Sequence, residues 1–139
     1  MLCGVIGVVE NDWGRRVFTG RYLDAFLCKQ GSIRGYTVAV WNGSHIAEPT
    51  HLTATEATGY WQELLRVGAA VETAFENVKM NYQILGNSVP HLHTHVIPRA
   101  PLDPAPNGPL PWTYLDHGRH DPDVFAADAA LLKGALQQT

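Results

Sequence analysis

The order of apolar and polar positions predicts strands on both sides of one long helix. Residues 36–41 are rich in β-branched and aromatic side chains and end at Asn42-Gly43-Ser44, a turn signal, which predicts a strand. Residues 80–85 alternate with a period of two and predict another strand. Residues 86–90 would turn this strand into an antiparallel neighbour that begins at His91. The apolar run from Leu2 to Val9 predicts a further strand, buried in the core.

The long helix is predicted to begin directly after residue 53. Thr53 and Glu56 have the spacing of a capping box, in which hydroxyl and carboxylate pair with the first free amides of a helix. Charged residues lie mostly on one side, which is expected to face water. The apolar positions recur at helical spacing and predict the buried side: Ala57, Trp61, Leu64, Gly68, Val71, Phe75 and Val78.

The C-terminal part of the chain has a different texture. Six of the nine prolines lie between Pro98 and Pro111, which predicts an extended or looped segment. Asp121 and Pro122 have the pattern of an N-cap followed by a first-turn proline. A short helix is therefore predicted through about Gln137.

Composition suits one globular domain and disfavours two classes of partner. A chain of 139 residues can bury roughly 68% of its unfolded surface. The net charge of −3 disfavours a protein that coats nucleic acid, which would present a basic face. The run 2–9 is too short to span a membrane and lacks a basic leader, so we expect a cytoplasmic protein without a membrane partner. Five of the ten Lys and Arg residues lie within 15–34 and predict either a solvated basic face or a phosphate site.

Three histidines alternate in the sequence His-Leu-His-Thr-His-Val-Ile, residues 91–97. In a β-strand, His91, His93 and His95 would lie on one face. Three structural imidazoles in one core layer would each need a polar partner. One metal ion is not expected to bind all three, because the outer Cβ atoms would be ~13 Å apart and Zn–N bonds are ~2.0 to 2.1 Å long. A third interpretation is nucleophilic catalysis by one imidazole that its neighbours orient.

Residues 91–97 resemble the signature of the histidine triad (HIT) superfamily of nucleotide hydrolases and transferases, with Thr94 at a position that is usually apolar. The flanking residues 85–90 and 98–99 are also similar, and a weaker resemblance extends from about Arg16 to Pro101. It implies an α+β, HIT-like fold with an antiparallel sheet of about five strands, one long central helix and a short C-terminal helix. We expect a single domain over 1–139, with a core at 16–101, a proline-rich tail at 98–121 and a terminal helix at 122–137. The resemblance also implies a homodimer formed through the central helix and a sheet edge.

The resemblance implies a nucleotide hydrolase that uses no cofactor and no metal. His93 would attack the α-phosphorus of a nucleoside 5′-phosphate derivative and form a covalent nucleotidyl-imidazole that water hydrolyses. His91 and His95 would orient His93 and contact the phosphoryl oxygens. Asn87 and Ser88 occupy positions where relatives contact the phosphate or the leaving group. Substrates would be dinucleoside polyphosphates or nucleoside phosphoramidates.

Other candidate residues follow from the same resemblance. His45 and His51 each match a position where some relatives place a further histidine, which could contact the third histidine or a phosphate. Phe26 could form an apolar wall for a base. Cys28 stands where an Asp commonly binds the ribose hydroxyls, and residues 31–36 replace a frequent Pro-x-x-Pro-Gly-His, so ribose recognition is expected to differ.

Two alternatives to hydrolysis remain at this stage. The chain could transfer the nucleotidyl group to another phosphate, although the third position in such transferases is usually Gln and here is His95. It could also be a regulatory nucleotide-binding module with weak catalysis.

The tail after Pro101 is expected to pass near the cleft. Removal of the residues from Asp103 onward is expected to alter substrate preference more than stability.

Overall fold

The computed structural model describes residues 2–139, with side chains from residue 4 onward. Five strands form one sheet in the order β1-β2-β3-β5-β4, and every neighbouring pair is antiparallel. The α+β architecture expected from the sequence is confirmed. The strands are β1 (Gly14–Thr19), β2 (Leu23–Cys28), β3 (Thr37–Trp41), β4 (Lys79–Gln83) and β5 (His93–Arg99).

Helix α1 (Ala54–Ala74) lies across one face of the sheet and begins with the predicted capping box. The Thr53 side chain accepts from the Glu56 amide at 3.2 Å, and the Glu56 carboxylate accepts from the Thr53 amide at 2.8 Å. The buried side is rotated from the predicted one, because Tyr60 and Val67 are buried whereas Trp61 is 49% exposed.

The outer ends of the predicted apolar stripe also differ from the structure. Ala57 is exposed near the start of α1. The helix ends at Ala74, and Phe75 is its C-cap in an extended conformation. Val78 therefore lies beyond the helix and is exposed. Apart from Trp61, the predicted positions between Ala57 and Val78 are buried: Leu64, Gly68, Val71 and Phe75.

The sheet has a hydrophobic core on each face, and β5 contributes to both. Helix α1 and the C-terminal helix cover the first core, which includes Val96. The second core contains Phe26 and Ile97. Because side chains alternate along a strand, Thr94 and Val96 point toward α1, whereas His93 and His95 share the opposite face with Ile97.

The N-terminal run is not a buried strand, contrary to the sequence prediction. Leu2–Val5 forms a 3-10 helix. Gly7 follows with a φ of 86°, a left-handed conformation that interrupts any extended segment. Val9 is 60% exposed, so the apolar character of this run does not reflect burial in the sheet.

The tail contains α2 (Trp112–Leu115) and α3 (Pro122–Leu136). The Asp121 side chain caps α3 as predicted, since it accepts from the amides of Asp123 and Val124. Helix α3 packs on α1 and β1, and its buried apolar residues belong to the first core. The expectation that removal of the tail alters substrate preference more than stability stays a prediction, but these contacts favour a loss of stability.

Arg99 fixes the proline-rich segment to the end of β5. Its guanidinium donates to both carboxylate oxygens of Asp103, at 2.7 and 2.8 Å, and to the carbonyls of Ala105 and Gly108. It also donates to Asn81 Oδ1 on β4. The loop is thus held by a buried, fully hydrogen-bonded cation.

The basic residues within 15–34 are mostly paired with acids. Arg15 and Lys29 both contact Glu10, at 3.0 and 2.8 Å. Arg34 forms two hydrogen bonds with the buried Asp128. This segment is largely charge-balanced and does not form an open phosphate site.

No helix in the described residues is long and apolar enough to cross a membrane.

Candidate active site

The three histidines are buried, but only two of them lie in β5. His93 pairs with Val40 and His95 with Val38 on the neighbouring strand β3. Their rings are 4.9 Å apart between centroids and nearly perpendicular, at 75°. His91 precedes the strand, so the row predicted for one strand begins in the loop that leads into it.

His93 is held by the backbone two residues before it. Its Nδ1 atom lies 2.6 Å from the carbonyl oxygen of His91. A carbonyl can only accept a hydrogen bond, so Nδ1 carries the proton. In the neutral ring, Nε2 is then left with a free lone pair, as a nucleophile requires.

His91 is fixed by a second carbonyl and by His45. Its Nε2 donates to the oxygen of Trp41 at 2.8 Å, and its Nδ1 lies 3.3 Å from Nδ1 of His45. Burial lowers the pKa of His91, and the charges of His45 and His93 lower it further, whereas the Trp41 carbonyl acts in the opposite direction. A neutral His91 accepts at Nδ1 from the N–H of His45. His45 therefore supports the first histidine rather than the third.

The partner of the third histidine is Tyr36. Its hydroxyl lies 2.6 Å from Nδ1 of His95, and both side chains are buried. Burial, and then the charge of His93, lower the pKa of His95 to about 4. Burial also raises the pKa of Tyr36. A buried tyrosine that only accepted here would leave its own O–H unpaired. Tyr36 is thus the donor, and the neutral His95 carries its proton on Nε2.

Two cavities meet at His93 and His95. The tryptophan cavity, of about 230 Å³, contains Trp13, Cys28, Gln30, Tyr36, Trp112, Leu115 and Asp116 besides these histidines. The loop cavity, of about 250 Å³, contains residues 85–89 together with Trp112 and the same two histidines. A larger groove of about 570 Å³ runs along β4 and the proline-rich loop, but no histidine lines it. His93 and His95 thus line both cavities.

The predicted supporting residues take different positions around these cavities. Asn87 and Ser88 line the loop cavity from exposed positions. Cys28 lines the tryptophan cavity, where burial raises the pKa of its thiol and keeps it protonated. Phe26 is fully buried behind Trp13, 5.3 Å away between ring centroids, and does not line the cavity. His51 is exposed on the 3-10 helix Pro49–His51 and lines neither cavity.

Most residues that line the tryptophan cavity could not be identified from the sequence. Trp112 lies with its ring edge-on to His95, at 5.8 Å between centroids, as expected for a tail that passes near the cleft. The backbone of residues 118–120 is hydrogen-bonded to that of residues 29–31, which places α2 over the sheet. Contacts between such distant segments leave no local signal. The residues missed as site residues are Trp13, Gln30, Tyr36, Trp112, Leu115 and Asp116.

Within the described residues, no group of three or more His, Cys, Asp or Glu side chains has an arrangement suited to a metal ion. Instead, His91 pairs with the carbonyl of Trp41, His93 with the carbonyl of His91, and His95 with the hydroxyl of Tyr36. Each of the three imidazoles thus has at least one ring nitrogen paired with a protein group.

The geometry agrees with the comparison to known families. The model of the HIT domain family matches residues 14–102. This chain belongs to the HIT family. Its sequence is 27% identical over 105 residues to a bis(5′-adenosyl)-triphosphatase of Saccharomyces cerevisiae, an alignment that covers 72% of this chain and 50% of that protein. The chain thus spans half the length of this curated relative.

Solved structures of HIT proteins share the fold. A histidine triad protein from Marinobacter aquaeolei superposes with a TM-score of 0.80 at 27% identity, over 90% of each chain. A histidine triad protein from Sinorhizobium meliloti gives a TM-score of 0.78 at 24% identity, over 93% of this chain and 98% of that one. The fold of this chain therefore belongs to a known architecture.

Proposed function

We propose that this HIT protein is a nucleotide hydrolase that cleaves nucleoside 5′-phosphate derivatives at the α-phosphorus through a covalent intermediate on His93. Dinucleoside polyphosphates and nucleoside phosphoramidates are the proposed substrates. The single observation that supports it most is the hydrogen bond from His93 Nδ1 to the His91 carbonyl, which leaves Nε2 unprotonated beside two cavities. The distant similarity to a diadenosine triphosphatase supports the same class of substrate.

In the first step, Nε2 of His93 forms a bond to the α-phosphorus while the bond from phosphorus to the leaving group breaks. The leaving group departs with the bonding electron pair. The imidazole gains positive charge, which the His91 carbonyl stabilises through Nδ1–H. His95 donates from Nε2–H to a phosphoryl or leaving-group oxygen, because Tyr36 occupies its other nitrogen.

In the second step, water attacks the same phosphorus from the side that the leaving group has vacated. The P–N bond to His93 breaks, and a nucleoside monophosphate and a proton are released. Because Asn87 and Ser88 line the loop cavity, we propose that their side chains contact the leaving group in the first step and the water in the second.

The test compares His93→Ala with wild type on a fluorogenic adenylate ester. We expect kcat to fall on the order of 10⁴-fold or more, as removal of a nucleophile does in other enzymes, while nucleotide binding persists. The control is His51→Ala, which removes an exposed imidazole that lines neither cavity and is expected to change kcat little. Comparable turnover by wild type and His93→Ala would contradict the proposal.

The same assay separates the two alternatives. A nucleotidyltransferase would form a new nucleotide conjugate when a second phosphate acceptor is added, whereas a hydrolase releases the monophosphate in its absence. A regulatory module would bind the nucleotide and turn it over only slowly. Product chromatography with and without acceptor distinguishes the three.

We also propose that two copies associate through α1 and the edge strand β4. Trp61 and Leu65 lie one turn apart on α1, and both are about half exposed. Gly68 continues this row and lies against the ring of Tyr82 on β4, so helix and strand present one apolar surface. The outer edge of β4 pairs with no strand in the described part of the sheet. An exposed apolar patch beside an open edge favours association.

Light scattering after size exclusion tests this association. Leu65→Glu is expected to shift the protein from dimer to monomer, because it places a charge in the middle of the apolar surface. Leu131→Glu is the matched control, since Leu131 is 50% exposed on α3, away from this surface. A monomeric wild type, or a Leu65→Glu variant that stays dimeric, would refute the proposed interface.

A further inference from the structure

Two polar side chains line the tryptophan cavity besides the histidines and Tyr36. They are Gln30 and the exposed Asp116. The Oε1 atom of Gln30 is buried and has no hydrogen-bond partner among the described residues. A buried amide oxygen without a partner is unfavourable unless a ligand or water pairs with it. Gln30 therefore offers an acceptor for a donor group of whatever the cavity binds.

The backbone keeps Asp116 close to Gln30. Gln30 forms an isolated β-bridge with Arg119, and the Gly31 amide donates to the Gly118 carbonyl at 3.2 Å. Asp116 caps the end of α2. Its charge reaches into the cavity, because it adds to the effects of burial and of Cys28 in raising the pKa of Tyr36.

The rest of the cavity favours a flat apolar group. The indoles of Trp13 and Trp112 both line it, and such rings stack on aromatic bases. A carboxylate accepts hydrogen bonds from hydroxyl groups and repels phosphate. A nucleotide bound here would thus place its phosphate at His93 and its hydroxyls at Asp116.

We infer that Asp116 and Gln30 accept hydrogen bonds from the sugar hydroxyls of the bound nucleotide. Two adjacent hydroxyls supply two donors, and the carboxylate and the amide oxygen supply the two acceptors. The protonated thiol of Cys28, which lines the same cavity, is only a weak acceptor. This inference rests on the proposed function, since it takes the His93 site to bind nucleoside 5′-phosphates. Asp116 lies beyond the residues matched by the family model, whereas Gln30 lies within them.

Calorimetric titration of the full chain with adenosine 5′-monophosphate and with its 2′,3′-dideoxy analogue tests the inference, and the guanosine pair is run beside them. Wild type is expected to bind the ribonucleotide about 10-fold or more tightly than the analogue. Asp116→Asn and Gln30→Met should each weaken ribonucleotide binding by about 10-fold and leave the analogue within about twofold. Asp123→Asn, which removes an exposed carboxylate in the first turn of α3, is the matched control and should change neither.

The ratio of the two affinities within one protein is the readout, so a modest loss of stability in a variant does not obscure it. An unchanged ratio in Asp116→Asn would overturn the inference and leave the proposed function intact, because the ribonucleotide would still bind. Equal weakening of both ligands would also count against it, since that result indicates a packing role. If wild type bound none of the four nucleotides, the inference and the proposed function would both fall.

Discussion

At the residue scale, the hydrogen bond from the Tyr36 hydroxyl to Nδ1 of His95 determines which ring nitrogen of His95 carries the proton. Tyr36→Phe removes the donor to Nδ1 and keeps the ring in place. We expect kcat to fall by about 10-fold with KM little changed, because the lost hydrogen bond orients a group that acts on the reacting phosphate.

Nitrogen NMR of the histidine side chains checks this prediction independently of rate. Wild type should show the proton of His95 on Nε2, and Tyr36→Phe should show a mixture of tautomers. Tyr114→Phe is the control, because Tyr114 lies on α2 and lines neither cavity. An unchanged tautomer together with an unchanged kcat would remove Tyr36 from the mechanism.

His95 also predicts how stability depends on pH. Its pKa is lowered from 6.5 to about 4 in the folded protein, so between these values the unfolded chain binds the extra proton. Stability contributed by neutral His95 is therefore present above pH 6.5 and is lost as the pH falls toward 4, by about 3 kcal/mol in total. The lowered pKa of His91 acts in the same direction.

Urea denaturation at several pH values between 7 and 4.5 measures this effect. His95→Gln is expected to show a smaller loss of stability over this range than wild type, and the exposed His117→Gln is expected to behave like wild type. Equal pH dependence in all three proteins would show that His95 titrates normally.

Sequence alone singled out the three buried histidines but not the groups that pair with them. The alternation of His93 and His95 is a local pattern, so it can be recognised in the sequence without knowledge of the fold. Tyr36 lies 59 positions from His95, and only the register between β3 and β5 brings them together. His45 was expected to contact the third histidine or a phosphate, whereas it lies against His91, a contact that depends on the loop that follows β3.

At the scale of elements, Thr94 is a polar residue at a position of the HIT signature that is usually apolar. A residue of helix α1 pairs with its hydroxyl. The Thr94 side chain points from β5 toward α1, where its hydroxyl lies 2.7 Å from that of Tyr60. Both side chains are buried, and burial raises the pKa of Tyr60 to about 12. The pair joins strand and helix within an apolar core.

Tyr60→Phe and Thr94→Val are each expected to destabilise the protein by about 1 to 3 kcal/mol, because each removes the hydrogen bond between the two buried hydroxyls. After Thr94→Val, the Tyr60 hydroxyl keeps only its longer contact of 3.5 Å with the Ala39 carbonyl. The double variant should lose less than the sum of the single losses. Free energies of unfolding from denaturant titration measure the coupling. Strict additivity would show that the two hydroxyls are independent.

Helix and strand boundaries followed from the sequence where local signals were strong. The capping box at Thr53 and the Asp121 cap are chemical signals confined to one turn, and both proved correct. The buried side of α1 depends on how the helix sits on the sheet, which its own spacing does not determine. The prediction of a buried strand at residues 2–9 was wrong, because apolar composition alone does not distinguish a buried strand from an exposed turn that contains glycine.

At the scale of the whole molecule, the tail belongs to both the core and the site. Phe125 and Leu132 of α3 are buried against the first core, and Asp103 neutralises the buried Arg99. A truncation after Leu102 is therefore expected to abolish cooperative thermal unfolding, as followed by circular dichroism. A truncated chain that still melted sharply would show that the tail is dispensable for folding.

The most direct test of the account is the covalent intermediate itself. Wild-type protein mixed with a nucleoside phosphoramidate is quenched within milliseconds in neutral denaturant, since P–N bonds are labile in acid, and its intact mass and peptides are measured. We predict an added mass of one nucleoside monophosphate, located on His93 and absent from His93→Ala. A native protein that turns over the substrate without any such adduct, while His93→Ala keeps comparable activity, would contradict the account.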